Sequence, residues 1–190
     1  QYGKTTTLRA LAEYLKKDYF VLSLDFQELS SANFESEEKF VEGFIRCIAR
    51  VIEEQDTCID EERKKNYVLL LEGKFDMGEM FERLSRMCGL SERPVILMID
   101  EVDSASNNQV FIDFLAMLRR YYLNRNRRAI FHSVILAGVY DIKNLKLKIR
   151  PEEEHQYNSP WNIAAKFNVD MSFSVAQIVE MLQEYENDVH

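Results

Sequence analysis

The sequence predicts an α/β domain of the doubly wound kind, and three observations carry that reading. Three short runs, Phe20 to Phe26, Pro94 to Ile99 and Ser133 to Gly138, are nearly continuous in apolar residues. Strands buried on both faces read this way, and such burial belongs to parallel sheets covered by helices. Between the runs lie stretches whose apolar residues recur at helical spacing, so strands and helices alternate. Glycine (six) and proline (three) are scarce among 190 residues, which leaves little chain for irregular structure.

Each element can be justified in turn. From Thr5 to Lys17, Leu8, Leu11, Ala12 and Leu15 mark one face of a helix. The run from Phe20 to Phe26 supplies the first visible strand. Phe40, Phe44, Cys47, Ile48, Val51 and Ile52 mark a second helix. The charge-rich stretch from Gln55 to Lys74 has no clear period and reads as partly helical. Met77 to Cys88 is helical, with Gly89 placed to close it. Pro94 to Ile99 is a strand that ends at Asp100 and Glu101. Val110, Phe114, Met117, Leu118 and Tyr121 line a long helix capped at Asn107 or Asn108. Ser133 to Gly138 is the next strand, and a polar segment from Tyr140 to Pro160 follows. A short strand in Trp161–Lys166 and a helix from Val175 to Tyr185 complete the reading.

Composition narrows the function classes. With 46% hydrophobic residues, twelve Phe and nine Tyr, the chain has enough apolar surface for one buried core. No apolar run approaches the roughly 20 residues that cross a bilayer, and no signal-peptide pattern opens the chain. Cys47, Cys58 and Cys88 are far apart and odd in number, which excludes a disulfide framework and points to reduced thiols in a cytoplasmic protein. The scattered His132, His155 and His190 do not suggest a metal site. Twenty-four basic against 32 acidic side chains give a net charge of −8, so general affinity for nucleic acid or anionic membranes is not favoured.

Chemistry enters at the first residues. Gly3-Lys4-Thr5, followed at once by a helix, is the second half of the phosphate-binding loop G-x-x-x-x-G-K-[ST]. Glycine permits the tight turn that aims successive N–H groups at a phosphate. Lys4 would reach the β- and γ-phosphates and the Thr5 hydroxyl would take Mg²⁺, with the helix dipole adding to the attraction. Read alone, the tripeptide suits a helix start capped by Thr5 or Thr6 equally well. The second element is Ile96-Leu97-Met98-Ile99-Asp100-Glu101, four apolar residues and then two carboxylates at the carboxyl end of a buried strand. Ligands bind at that edge of open α/β sheets. Asp100 would hold Mg²⁺ and Glu101 would polarise the water that attacks the γ-phosphate. The plain alternative is a strand ending in a polar turn, with Asp103 or Ser104 starting the next helix. The two elements stand roughly ninety-five residues apart, and their pairing favours the functional reading over either alternative. The first glycine of the loop and its strand would precede Gln1, so a core truncated within the loop is expected.

Weaker signals surround this pair. Tyr140 and Asp141 follow the third visible strand, where a polar sensor of the γ-phosphate can sit. Arg119, Arg120, Arg125, Arg127 and Arg128 crowd the end of the long helix. Favourable charge at a helix C-terminus is the plainer account of them, with an arginine finger acting on a neighbouring subunit or a nucleic-acid contact patch as the sharper ones. Lys143, Lys146, Lys148 and Arg150 form a basic stretch that Glu152-Glu153-Glu154 balances. Asp25, ending the first visible strand, suits either a turn cap or the water shell of a metal.

On Gln1-Tyr2-Gly3-Lys4-Thr5-Thr6-Thr7-Leu8, Val21 to Phe26, Leu97 to Asp103, Ser133 to Asp141 and Asn162-Ile163-Ala164, the chain resembles the prokaryotic AAA-like or STAND-like P-loop ATPases. The resemblance covers most of the 190 residues, and its specific parts are the two motifs just described, Walker A and Walker B. It implies a P-loop NTPase three-layer αβα sandwich with a parallel sheet in the order 5-1-4-3-2, the first strand missing from this chain. It also implies ATP and Mg²⁺ as ligands, with hydrolysis coupled to conformational change. Carried over by position, Tyr2, Gly3, Lys4, Thr5 and Thr6 form the ATP-binding stretch. Thr5 and Asp100 are the metal contacts, and Glu101 with Lys4 the catalytic pair. Tyr140 or Asp141 takes the sensor place, and Arg127, Arg128 or Arg150 the arginine finger. The sensor lacks its usual Asn, Ser or Thr, and no helical lid follows His190. Two other functions stay open: a nucleotide-gated interaction module with little turnover, forming a homo-oligomer or engaging a protein partner, and a nucleic-acid-dependent ATPase. The latter ranks lower because the chain is acidic and the sequence shows no aromatic-and-basic stacking surface.

Overall fold

Three parallel strands carry helices on both faces in the computed structural model, which describes residues 3–55, 59–105, 108–138 and 174–188. The elements run α1 (Lys4–Leu15), β1 (Phe20–Asp25), α2 (Glu37–Glu53), α3 (Glu61–Leu70), α4 (Met77–Leu90), β2 (Val95–Asp100), α5 (Gln109–Leu123), β3 (Ser133–Leu136) and α6 (Val175–Asp188). Within the described residues the strands lie side by side as β1-β2-β3. Phe20 pairs with Val95 and Asp25 with Asp100, while Ile96 pairs with Ser133 and Ile99 with Leu136. Central β2 is buried along its whole length, as its unbroken apolar run requires.

The period of two along each strand divides the core. Phe20, Leu22, Leu24, Val95, Leu97 and Ile99 face the side covered by α2, α3, α4 and α5. Val21, Ile96 and Met98 face the other side, where Ala12, Leu8, Leu11 and Leu15 of α1 cover them. The larger layer is unusually aromatic. Phe114 of α5 sits with its ring centroid 4.9 Å from that of Phe44, 5.3 Å from Phe40 and 5.7 Å from Phe81. These offset and edge contacts suit the quadrupoles of aromatic rings.

Local chemistry sets the helix starts. Ser36, Asp60 and Asp76 each accept a hydrogen bond from the backbone N–H three residues on, at 3.3, 2.9 and 2.8 Å. The charge-rich stretch is helical from Glu61 to Leu70, held by the Asp60 cap and by the Lys64–Glu61 ion pair rather than by an apolar stripe.

Several sequence expectations need correction. Gly89 does not close α4: the helix continues to Leu90 and turns into extended backbone at Ser91. A Cβ at Gly89 would make an ordinary contact, 3.4 Å from that of Ala129. Helix α1 starts at Lys4 with Gly3 as its cap residue, so neither Thr5 nor Thr6 is a cap. Asn108 occupies the cap position of α5, yet its side chain makes no capping bond and Nδ2 donates to the Ala105 carbonyl at 3.3 Å. Asp103 and Ser104 start no α-helix; they lie in a 3₁₀ turn over Val102–Ala105. The expected strand at Trp161–Lys166 lies outside the described residues.

Candidate functional site

The carboxyl ends of β1 and β2 bring Asp25 and Asp100 into register, and the start of α1 packs over the same edge. Gly3 precedes α1 with φ at +97°, a left-handed conformation that only glycine adopts without strain. That turn sets Lys4 and Thr5 on the first turn of the helix. The Thr5 hydroxyl donates to Asp100 Oδ2 at 2.8 Å, joining the two motifs read from sequence. The other oxygen, Asp100 Oδ1, accepts from the Glu101 backbone N–H at 2.9 Å. Asp100 is 9% exposed, and both of its carboxylate oxygens are oriented.

Lys4 differs from its neighbours. Its Nζ is shielded from solvent and has no hydrogen-bond partner among the described residues. A shielded ammonium is favoured when an anion accompanies it. A phosphate oxygen at the mouth of the α1 turn is the kind of anion that would fill the role.

Glu101 is the one non-glycine residue among those described with positive φ, at 54°. Such backbone strain costs about 1–3 kcal/mol and concentrates at functional sites. The residues around Glu101 hold it there. Val102 N–H donates to the Ala137 carbonyl at 3.1 Å, and Ala137 N–H donates to Ile99 at 2.8 Å. Gly138 follows: a Cβ on it would meet Asp103 Oδ2 at 2.7 Å and Val102 Cγ2 at 2.9 Å. The end of β3 therefore clamps the turn that carries Glu101. Sequence reading missed this clamp, whose only trace is a glycine at the end of an apolar strand.

The remaining candidates fall elsewhere. Asp25 caps a turn, its Oδ1 accepting from Gln27 N–H at 2.8 Å. Arg127 and Arg128 lie beyond α5, near the amino end of β2, where His132 N–H donates to Val95 at 2.7 Å. That is the edge of the sheet away from Asp100, and Arg128 pairs with Glu82 of the same chain. Tyr2, Tyr140, Asp141 and Arg150 lie outside the described residues.

A hydroxyl and one carboxylate are hard oxygen donors suited to Mg²⁺, which takes few protein ligands and completes its shell from phosphates and water. Among the described residues no group of three His, Cys, Asp or Glu side chains is placed to hold a metal. None of the described helices is long and apolar enough to cross a membrane. No curated protein matches the chain. Over residues 1–190 the sequence matches the family described as "AAA-like domain", and the chain belongs to that family, whose members' P-loop architecture implies nucleotide binding.

Proposed function

We propose that this domain binds Mg-ATP and hydrolyses it, coupling the nucleotide state to a conformational change. The observation that carries the proposal is Lys4: a shielded ammonium with no hydrogen-bond partner among the described residues, one residue from the Thr5–Asp100 bond. Lys4 binds the β- and γ-phosphates. Thr5 and Asp100 hold Mg²⁺, which when bound neutralises charge on the phosphates. Glu101, set by its strained backbone at the carboxyl end of β2, accepts the proton of the attacking water and orients it in line with the γ-phosphate. The five-stranded order 5-1-4-3-2 extends the observed β1-β2-β3 sheet in this reading. Tyr140 or Asp141 is the proposed sensor; Arg127, Arg128 or Arg150 would serve a neighbouring subunit as an arginine finger.

Calorimetry of Mg-ATP binding together with phosphate release tests this. Glu101→Gln retains binding and loses turnover, because the amide keeps the shape and cannot take the proton. Lys4→Ala loses binding. A Glu101→Gln protein that hydrolyses ATP at the native rate would remove Glu101 from the mechanism.

A further inference from the structure

The opposite edge of the sheet carries a feature that no contiguous stretch of sequence reveals. A cleft of about 520 Å³ opens at the amino end of β2. That volume falls within the roughly 300–1,000 Å³ typical of ligand clefts. Its walls come from the segment leading into β2, with Arg93, and from the end of α5 through to β3, with Tyr122, Arg125 and His132. The Arg125 guanidinium lies over the Tyr122 ring, 4.1 Å from its centroid, and its Nη1 donates to the Tyr122 carbonyl at 3.0 Å. Arg93 is likewise held, donating through Nη1 to the Lys16 carbonyl at 3.0 Å. Beside the cleft, the rings of Tyr19 and His132 stand 5.5 Å apart.

The charge balance here opposes that of the chain. Among the described residues Glu92 is the one carboxylate in the lining; it is bound to Arg63 and also feels the charge of Arg93. Arg93 and Arg125 line the cleft, and exposed Arg127 stands in the turn next to it. Cys88 also lines the cleft, but burial pushes its thiol up to about 12, so it offers no thiolate for chemistry. What remains is a cationic surface interleaved with rings, on a protein whose net charge is −8.

We infer that this cleft binds single-stranded nucleic acid, with Arg93 and Arg125 on the phosphates and the Tyr122–Arg125 stack against a base. An acidic peptide would use the cations and leave the rings without a role. Arginine over a tyrosine ring offers a planar guanidinium as well as charge, which suits bases and phosphates together. The sequence shows the arginine-rich part of this surface at Arg125–Arg128; the rest comes from near Tyr19 and Arg93, segments that only the parallel sheet brings to the same edge. The site is separate from the one around Lys4 and binds without ATP.

Fluorescence anisotropy of the full chain with a labelled oligothymidylate of about a dozen nucleotides tests it, since single-strand sites span roughly 4–16 nucleotides. The expected result is binding at low salt that weakens steeply as salt rises. Tyr122→Ala weakens it about tenfold or more, the size of one lost stacking contact, while Tyr122→Phe keeps it. Arg125→Glu, on an exposed side chain that contacts Tyr122 three residues earlier, abolishes it. The charge-matched Lys74→Glu, on the distant loop before α4, leaves it unchanged. Absence of binding at low salt overturns the inference, as does equal binding by Arg125→Glu. Displacement of the oligonucleotide by an oligoglutamate peptide of similar length at equal concentration also overturns it and makes the cleft an acidic-peptide site.

Discussion

Thr5 Oγ1 and Asp100 Oδ2 stand 2.8 Å apart although ninety-five residues separate them in the chain. The bond ties the first turn of α1 to the end of the central strand, so two motifs that are each weak in sequence meet as one site. It also predicts how each side chain can be changed. In Asp100→Asn the side-chain oxygen still accepts the Thr5 hydroxyl, while the charge that would hold a metal is gone. The domain should keep its stability to within the roughly 0.5–1.5 kcal/mol of one hydrogen bond. ATP affinity measured with Mg²⁺ should fall to the value measured with EDTA. A variant that still binds ATP more tightly with Mg²⁺ than without it would show that Asp100 holds no metal.

The clamp at the end of β3 gives a second prediction. Adding a methyl at Gly138 drives it into Asp103 Oδ2 and Val102 Cγ2, at 2.7 and 2.9 Å. Val102 is buried and branched, so it yields by moving the turn, and Glu101 moves with it. Misplacing a catalytic group by about 1 Å can cost up to about 100-fold in rate. Gly138→Ala should therefore lower kcat on that scale while leaving the Kd for Mg-ATP nearly unchanged. Adding Val102→Ala to Gly138→Ala should restore part of the turnover, because it removes the obstructing methyl. Equal losses in kcat and in binding would mean that the whole site has collapsed.

How much of this was legible in the sequence follows from how local each signal is. The strands at Phe20, Val95 and Ser133 declare themselves as apolar runs, and the Walker residues sit in short motifs. The helix over Glu61–Leu70 was obscure because it buries little besides Tyr67 and Lys64, and caps and ion pairs do not leave an apolar period. Gly89 misled because a glycine near the end of a helix reads as a terminator, whereas here the helix keeps its glycine and runs on to Leu90. The Gly138 clamp and the basic cleft are contacts between distant segments. In sequence the clamp leaves only a glycine after an apolar run, and the cleft only the arginine cluster at the end of α5.

Glu82 supplies a prediction in pH. Its carboxyl is held below the usual range by the Tyr121 hydroxyl, which donates to it at 2.9 Å, and by the Arg128 guanidinium. A carboxylate lowered in the folded state contributes stability above its unfolded pKa, and that contribution is lost as the pH falls through the lowered value. Glu82→Gln should thus reduce the urea midpoint at neutral pH, and the difference from the native protein should close on acidification. The pair is exposed, so added salt should also shrink the effect. A difference that persists below the carboxylate range would assign it to packing of the side chain.

The aromatic layer under α5 sets the stability of the platform on which the site is built. Phe114 is fully buried, and its ring touches those of Phe40, Phe44, Phe81 and Phe111. Truncation to alanine loses the transfer energy of a whole ring and leaves a cavity that four rigid neighbours cannot fill, for a cost of about 3–5 kcal/mol. Phe114→Leu retains most of the volume and should cost clearly less. Chemical denaturation measures both. Because α5 packs on the face of the sheet away from α1, a Phe114→Leu protein that stays folded should bind Mg-ATP with the native affinity. A loss of nucleotide affinity in that folded variant would show that the aromatic layer, and not only the α1 face, positions the phosphate-binding turn.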